Sequence, residues 1–123
     1  MCGIAGIFHL ETAKPVDPAR IRLMTDAMLH RGPDGNGCWT APGVGLGHLR
    51  LSIIDLEGSA QPMASADEAD VLTFNGEIYN FQEVRAELSA LGHVFRTSGD
   101  TEVILAAWRQ WGVDCLDRLN GMF

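Results

Sequence analysis

The sequence has no basic cluster and no long apolar run. Nine Lys and Arg against sixteen Asp and Glu leave a formal net charge of −7, so the phosphates of nucleic acid or of an anionic membrane would be repelled at long range. No apolar stretch approaches the roughly 20 residues of a membrane-spanning helix. The first residues lack the basic start and continuous apolar core of a signal peptide, because Gly3, Gly6 and His9 interrupt them before Glu11 and Lys14; a cytoplasmic protein is the expectation. Cysteine is scarce as well. Cys2, Cys38 and Cys115 are odd in number, widely separated and free of any Cys-x-x-Cys spacing, which argues against a disulfide framework and a zinc knuckle. No two histidines have a ligand-like spacing, so no metal site is expected.

What is present fits one modest domain, or part of one, of layered α/β or α+β class. The 123 residues, 46% of them apolar, suffice for a single hydrophobic core. Ile4 to Leu10 reads as an N-terminal strand. Asp17-Pro18 is a cap-then-proline helix start, with Ile21, Met24 and Met28 at helical spacing up to about Leu29. His30 to Gly37 is dense in turn formers and reads as a loop. Cys38–Thr40 and Val44–Ile54 read as strands, the glycines of the second implying close backbone approach. After a polar stretch, Val71–Phe74 is a strand running into Asn75-Gly76, a hairpin-turn signal. Asn80 with Glu83 predicts a capping box for a helix over Phe81–Leu91, stopped by Gly92. His93–Arg96 is a short strand candidate. Asp100-Thr101-Glu102 opens an apolar helix to Trp111, stopped by Gly112. Leu119–Phe123 looks like a turn entering a strand that does not arrive within these residues.

Cys2 carries the most chemical information. A small residue after Met1 permits trimming of the methionine, which leaves a thiol and a free α-amino group on one residue, nucleophile and base together. In isolation Cys2 is more simply a small apolar strand residue. Its setting changes that. Cys2-Gly3-Ile4-Ala5-Gly6-Ile7 resembles the opening of the class II glutamine amidotransferases, an N-terminal-nucleophile hydrolase family. His30-Arg31-Gly32-Pro33-Asp34, Arg50-Leu51-Ser52-Ile53-Ile54-Asp55, Asn75-Gly76-Glu77-Ile78-Tyr79-Asn80 and Gly99-Asp100-Thr101-Glu102-Val103-Ile104 resemble that family's further motifs, in order and across nearly the whole chain. The Arg-Gly-Pro-Asp and Asn-Gly-Glu-Ile-Tyr-Asn forms are similar to the asparagine-synthetase branch.

The resemblance implies a layered helix/sheet/sheet/helix sandwich and a reaction. The Cys2 thiolate would attack the side-chain amide of glutamine, releasing ammonia and leaving a glutamyl thioester for water to cleave. The Asn75 side-chain amide and the Gly76 N–H would be the oxyanion donors. Arg50 would hold the substrate's α-carboxylate and Glu77 and Asp100 its α-ammonium, while Leu51, Ser52 and Ile53 would line the pocket. Each also has a plain reading: Arg50 as a solvated strand residue, Glu77 as a surface carboxylate, Asp100 as a helix N-cap, Asn75-Gly76 as a turn. His30, Arg31 and Asp34 would shape the entrance without a catalytic step. His48 and His93 are expected to be structural, and Cys38 and Cys115 buried thiols. Leu49 stands where the family often has a polar or basic residue, a departure expected to touch only the rim.

The resemblance further implies that the domain over residues 1–123 is incomplete and continues beyond Phe123. Its ammonia would pass to a C-terminal synthetase domain of the same protein that uses ATP and magnesium to convert aspartate to asparagine; no cofactor is expected in this segment. L-glutamine and that domain are the expected partners, and the resemblance leaves room for a homodimer. Two rivals stand beside this reading: the same glutaminase serving another acceptor, as in exopolysaccharide or exosortase clusters, and a non-catalytic domain that binds glutamine or a partner protein.

Overall fold

The computed structural model describes residues 2–11, 14–51 and 58–123. Its elements, in chain order, are strand β1 (Gly3–Phe8), helix α1 (Pro18–Asp26), a 3₁₀ turn at Leu29–Arg31, and strands β2 (Gly35–Ala41), β3 (Val44–Arg50), β4 (Met63–Ala64), β5 (Val71–Leu72) and β6 (Glu77–Ile78). Helices α2 (Phe81–Ala90) and α3 (Asp100–Trp111), a 3₁₀ segment over Gly112–Arg118 and strand β7 (Gly121–Met122) follow. The fold class is α+β, as the sequence implies. Two compact units form, the first from residues 2–11, 14–51, 60–62 and 73–75, the second from 58–59, 63–72 and 76–123.

The first unit is built on an antiparallel sheet in the order β1-β3-β2. β3 sits between its neighbours, pairing Gly3 with Leu49 through Phe8 with Val44 on one side, and Gly35 with Arg50 through Ala41 with Val44 on the other. Alternation along β3 turns Gly47 and Leu49 to one face, and His48 and Arg50 to the other. α1 lies on the Gly47 face. Asp17 caps it by accepting from the Ala19 N–H at 2.9 Å, with Pro18 just inside. Ile21 and Thr25, one helical turn apart, are buried against the sheet. A Cβ on Gly47 would come within 2.7 Å of both side chains, so the missing Cβ sets the helix-to-sheet distance.

The second unit is mainly helical. Val84 and Leu88 on α2 and Val103 and Ala107 on α3 repeat at i, i+4 and pack into one cluster with Cys115. Burial of a side chain such as Leu88 contributes about 1.5–3 kcal/mol. Arg85 reaches from α2 to the Thr97 and Gly99 carbonyls, both at 2.7 Å, and stacks 4.5 Å from the Phe95 ring centroid. Its planar fork thereby fixes the loop that enters α3.

Several expectations are corrected. β1 ends at Phe8, two residues before Leu10, and α1 ends at Asp26 rather than near Leu29. Beyond Asp26 the bonds shorten to Met28 N–H to Thr25 and Arg31 N–H to Met28, and the chain winds into the 3₁₀ turn. β2 begins inside the stretch read as loop. β3 ends at Arg50; Ser52, Ile53 and Ile54 lie outside the described residues. Asn75-Gly76 does not close a hairpin, because β5 pairs with β4 and β6 with β7. His93–Arg96 is not a strand, since the Arg96 and Thr97 N–H groups donate to the Glu102 carboxylate instead of to a neighbouring strand. Asn80 makes no side-chain cap on α2; its amide donates to the Arg118 carbonyl at 2.9 Å and accepts from Asn120 N–H at 2.8 Å. A strand expected not to arrive before Phe123 does form, as the two-residue β7 paired with β6. Cys115 is buried as expected, but Cys38, on edge strand β2, is exposed. Leu49 is only 1% exposed and belongs to the core rather than to a rim.

Candidate functional site

The ladder of the first unit brings the two ends of the Cys2 segment under control. Cys2 directly precedes β1, and its Sγ accepts from the Leu51 N–H at 3.3 Å and lies 3.7 Å from the Leu51 carbonyl. Its own carbonyl accepts from Arg31 Nε at 3.1 Å. Sulfur and main chain are therefore both held, by the residue just after β3 and by the turn after α1. The Asp34 N–H donates to the Arg50 carbonyl at 3.0 Å, which ties the Arg-Gly-Pro-Asp segment to the end of β3. Arg31, given no catalytic step in the sequence, is thus a positioning residue for Cys2. The signal was its place inside that motif; its target could not be read without the fold.

The segment carrying Asn75 docks in the same unit. Gly37 and His48 are register partners, so they share the sheet face opposite α1. A Cβ on Gly37 would run into the Gln61 carbonyl; the glycine admits residues 60–62 to this face. The Gln61 side-chain oxygen then accepts from the Phe74 N–H at 2.6 Å. Beside it, the Thr73 hydroxyl donates to the Gly47 carbonyl at 3.3 Å and lies 3.1 Å from His48 Nδ1. Asn75 follows two residues later.

His48 is 1% exposed, and its Nε2 has no hydrogen-bond partner among the described residues. Burial, and then the nearby Arg50 charge, push its pKa down to about 4, so the ring is neutral at pH 7. An unpartnered buried ring nitrogen costs about 1–3 kcal/mol.

The remaining sequence-identified residues fall in the second unit. Asp100 is buried at the first turn of α3, where its Oδ2 accepts from the Ile78 N–H at 3.0 Å and its Oδ1 lies 3.4 Å from the Thr101 hydroxyl. It therefore holds β6, and with it Glu77 and the adjoining Gly76, rather than capping its own helix. Glu102 is nearly buried too. Burial pushes its carboxyl up, but bonds from the Thr97 and Arg96 N–H groups, the Thr97 hydroxyl and the Arg96 guanidinium outweigh this and hold it below the usual range. Arg85 and Glu102, which hold the stretch from Arg96 to Gly99 just before Asp100, were both missed.

The structure thus gathers Cys2, Arg50, Leu51 and Asn75 in one unit, and Gly76, Glu77 and Asp100 in the other; Ser52 and Ile53 lie outside the described residues. A groove of about 350 Å³ in the second unit, with Asp67, Arg96, Glu102 and Arg109 in its wall, is lined by none of these site residues. There Asp67 pairs with Arg109, and that bond, with those from Ser65 and Ala69, holds the Asp67 carboxyl well below the usual range. Among the described residues no helix is long and apolar enough to cross a membrane.

Comparison with known proteins agrees with the motif order. A family model described as a glutamine amidotransferase domain matches residues 1–123. The chain is 42% identical over 125 residues to asparagine synthetase [glutamine-hydrolyzing] 3 of Bacillus subtilis (strain 168), covering all of this chain and 20% of the relative. It is 41% identical over 123 residues to asparagine synthetase B [glutamine-hydrolyzing] of Escherichia coli (strain K12), covering all of this chain and 22% of the relative. A putative asparagine synthetase [glutamine-hydrolyzing] of Mycobacterium tuberculosis (strain ATCC 25618 / H37Rv) is 50% identical over 106 residues, 78% of this chain and 16% of the relative. The chain therefore spans about a fifth of the length of the relatives it matches. With its whole length inside that match, the chain belongs to the glutamine amidotransferase domain family.

Proposed function

We propose that this domain hydrolyses L-glutamine to glutamate and ammonia with Cys2 as nucleophile. The observation that carries the reading is the seat of the Cys2 sulfur against Leu51, next to Arg50, in the unit that also holds Asn75. With Met1 removed, the Cys2 α-amine takes the thiol proton and the thiolate attacks the amide carbon of glutamine. The oxyanion of the tetrahedral intermediate is met by the Asn75 side-chain amide and the Gly76 N–H; each such donor is worth about 3 kcal/mol of barrier. The C–N bond breaks as nitrogen gains a proton and leaves as ammonia. Water then cleaves the thioester and glutamate departs.

Arg50 is suited to the α-carboxylate, and Leu51, Ser52 and Ile53, which follow it in the sequence, to lining the pocket. Glu77 and Asp100 are suited to the α-ammonium, and the bond between Asp100 and Ile78 N–H, which adjoins Glu77, supports their acting together. The four layers of an N-terminal-nucleophile sandwich belong to the same reading. In the same reading the ammonia would pass to a synthetase domain outside these residues, where ATP and magnesium would activate aspartate; the names of the relatives favour asparagine as product.

Replacing Cys2 by Ala in the full-length protein tests the assignment. Glutamine-dependent synthesis should vanish while ammonia-dependent synthesis persists, because only the ammonia source is lost. Equal loss of both would refute it. Within the site, Arg50→Ala should chiefly raise KM for glutamine and Asn75→Ala chiefly lower kcat; a normal kcat for Asn75→Ala would remove its oxyanion role.

A further inference from the structure

His48 is a buried polar side chain for which the reaction above has no use. Stability alone would favour a hydrocarbon here, since one ring nitrogen is left unpartnered among the described residues. Its other nitrogen has a defined role. The Thr73 hydroxyl has one proton, and the Gly47 carbonyl at 3.3 Å takes it. Its oxygen is then left to accept from His48 at 3.1 Å, so the imidazole proton sits on Nδ1 and Nε2 is bare. A strand backbone and a strand side chain of β3 thus grip one threonine from both sides.

That threonine is two residues upstream of Asn75 on a stretch whose other described anchor in this unit is the Phe74 N–H to Gln61 bond. His48 is two residues upstream of Arg50 on β3, so the two share a sheet face. Its register partner on β1 is Ile4, two residues after Cys2. Nucleophile, carboxylate-binding arginine and the Asn75 segment are therefore referenced to the same short length of sheet.

We infer that His48 is a positioning residue for the oxyanion donor: its Nδ1–H, acting through the Thr73 hydroxyl, fixes the Asn75 segment on the sheet that carries Cys2 and Arg50. The inference rests on the glutaminase reading and adds a residue that touches neither substrate nor nucleophile. Burial and the Arg50 charge keep the imidazole neutral at pH 7; the tautomer is set by the Thr73 bond.

The test is steady-state glutaminase kinetics of the full-length protein with His48→Leu, His48→Asn, Thr73→Val, Thr73→Ser and the double variant His48→Leu/Thr73→Val, with Cys2→Ala alongside. Because a loosened oxyanion donor is felt in the transition state and not in glutamine binding, His48→Leu and Thr73→Val should each lower kcat about 10- to 100-fold with little change in KM. The double variant should be no worse than the poorer single one, since both break one link. His48→Asn, whose amide can donate from near the Nδ1 position, and Thr73→Ser should recover most of the loss. Should His48→Leu fail to fold, Thr73→Val reads the same link. Independently, ¹⁵N spectra of the imidazole should show Nδ1 protonated and Nε2 unprotonated. The inference is overturned by the opposite tautomer, by additive losses, by a raised KM at normal kcat, or by His48→Asn as impaired as His48→Leu. Glutaminase surviving in Cys2→Ala removes the active-site reading and this inference with it; a dead Cys2→Ala beside an unaffected Thr73→Val removes the inference alone.

Discussion

In the first unit, position is fixed by main chain against main chain: unbroken ladders hold β3 to both neighbours, and Cys2 and Arg50 come at the ladder's end. In the second unit the strands are two residues long, and side chains set the backbone instead. Asp100 holds β6, Glu102 holds the turn before α3, Arg85 holds the carbonyls of that turn and Asn80 holds the approach to β7. A ladder loses little when one side chain changes. A carboxylate that organises several donors is a single point of failure, because each donor it leaves behind in a buried place must go unpaired.

The largest expected effect follows from that contrast. Glu102→Ala strands the Arg96 and Thr97 N–H groups together and should destabilise the protein by about 3–5 kcal/mol. Urea unfolding followed through Trp108 and Trp111 on α3 would report it, and a loss under 1 kcal/mol would mean the ladderless unit is held by its apolar cluster alone.

Acid should separate the two regions next. His48 has its pKa lowered in the folded state, so the unfolded chain binds the extra proton; its contribution is complete above about 6.5 and is lost as pH falls towards about 4. The loss should reach about 3 kcal/mol. Glu102 is also depressed, but its contribution is lost only as pH falls below the ordinary glutamate value of 4.5. Amide exchange should therefore show β1 and β3 loosening at a higher pH than α3, and His48→Asn should move that onset down. Simultaneous loosening of both, or α3 first, would contradict the assignment.

The smallest effect concerns Asn80. Asn80→Ala removes two bonds to residues near β7 and should cost about 1–2 kcal/mol, with loss of amide protection at Asn120 and Tyr79, whose N–H reaches the Asn120 carbonyl at 2.7 Å. Unchanged protection there would show that the β6–β7 pairing stands without it.

The same contrast explains what could be read from the sequence. Partial period-two alternation and the glycines of Val44 to Ile54 marked β3 and a close approach of its backbone, because both are properties of the local chain; that α1 makes the approach was shown only by the fold. The Gly92 and Gly112 stops and the apolar run up to Trp111 marked the two later helices for the same reason. Asn80-x-x-Glu83 and Asn75-Gly76 misled, since their local readings as capping box and hairpin turn lost to partners far along the chain, Arg118 and Asn120 in one case and β7 in the other. Cys2, Arg50 and Asn75 were singled out through the order of the motifs, and the fold puts all three in one unit. The bonds of Arg31, His48, Arg85 and Glu102 were not legible, because the other end of each is chosen by the fold.

The central claim is that Cys2, freed of Met1, takes the glutamyl group from glutamine. Acid quenching of the full-length protein during turnover, followed by mass spectrometry of its N-terminal peptide, tests this directly. A peptide that begins at Cys2 and carries one glutamyl group on its sulfur is the expected result. A glutamyl group on another residue, or active protein whose peptide still begins at Met1, would contradict it.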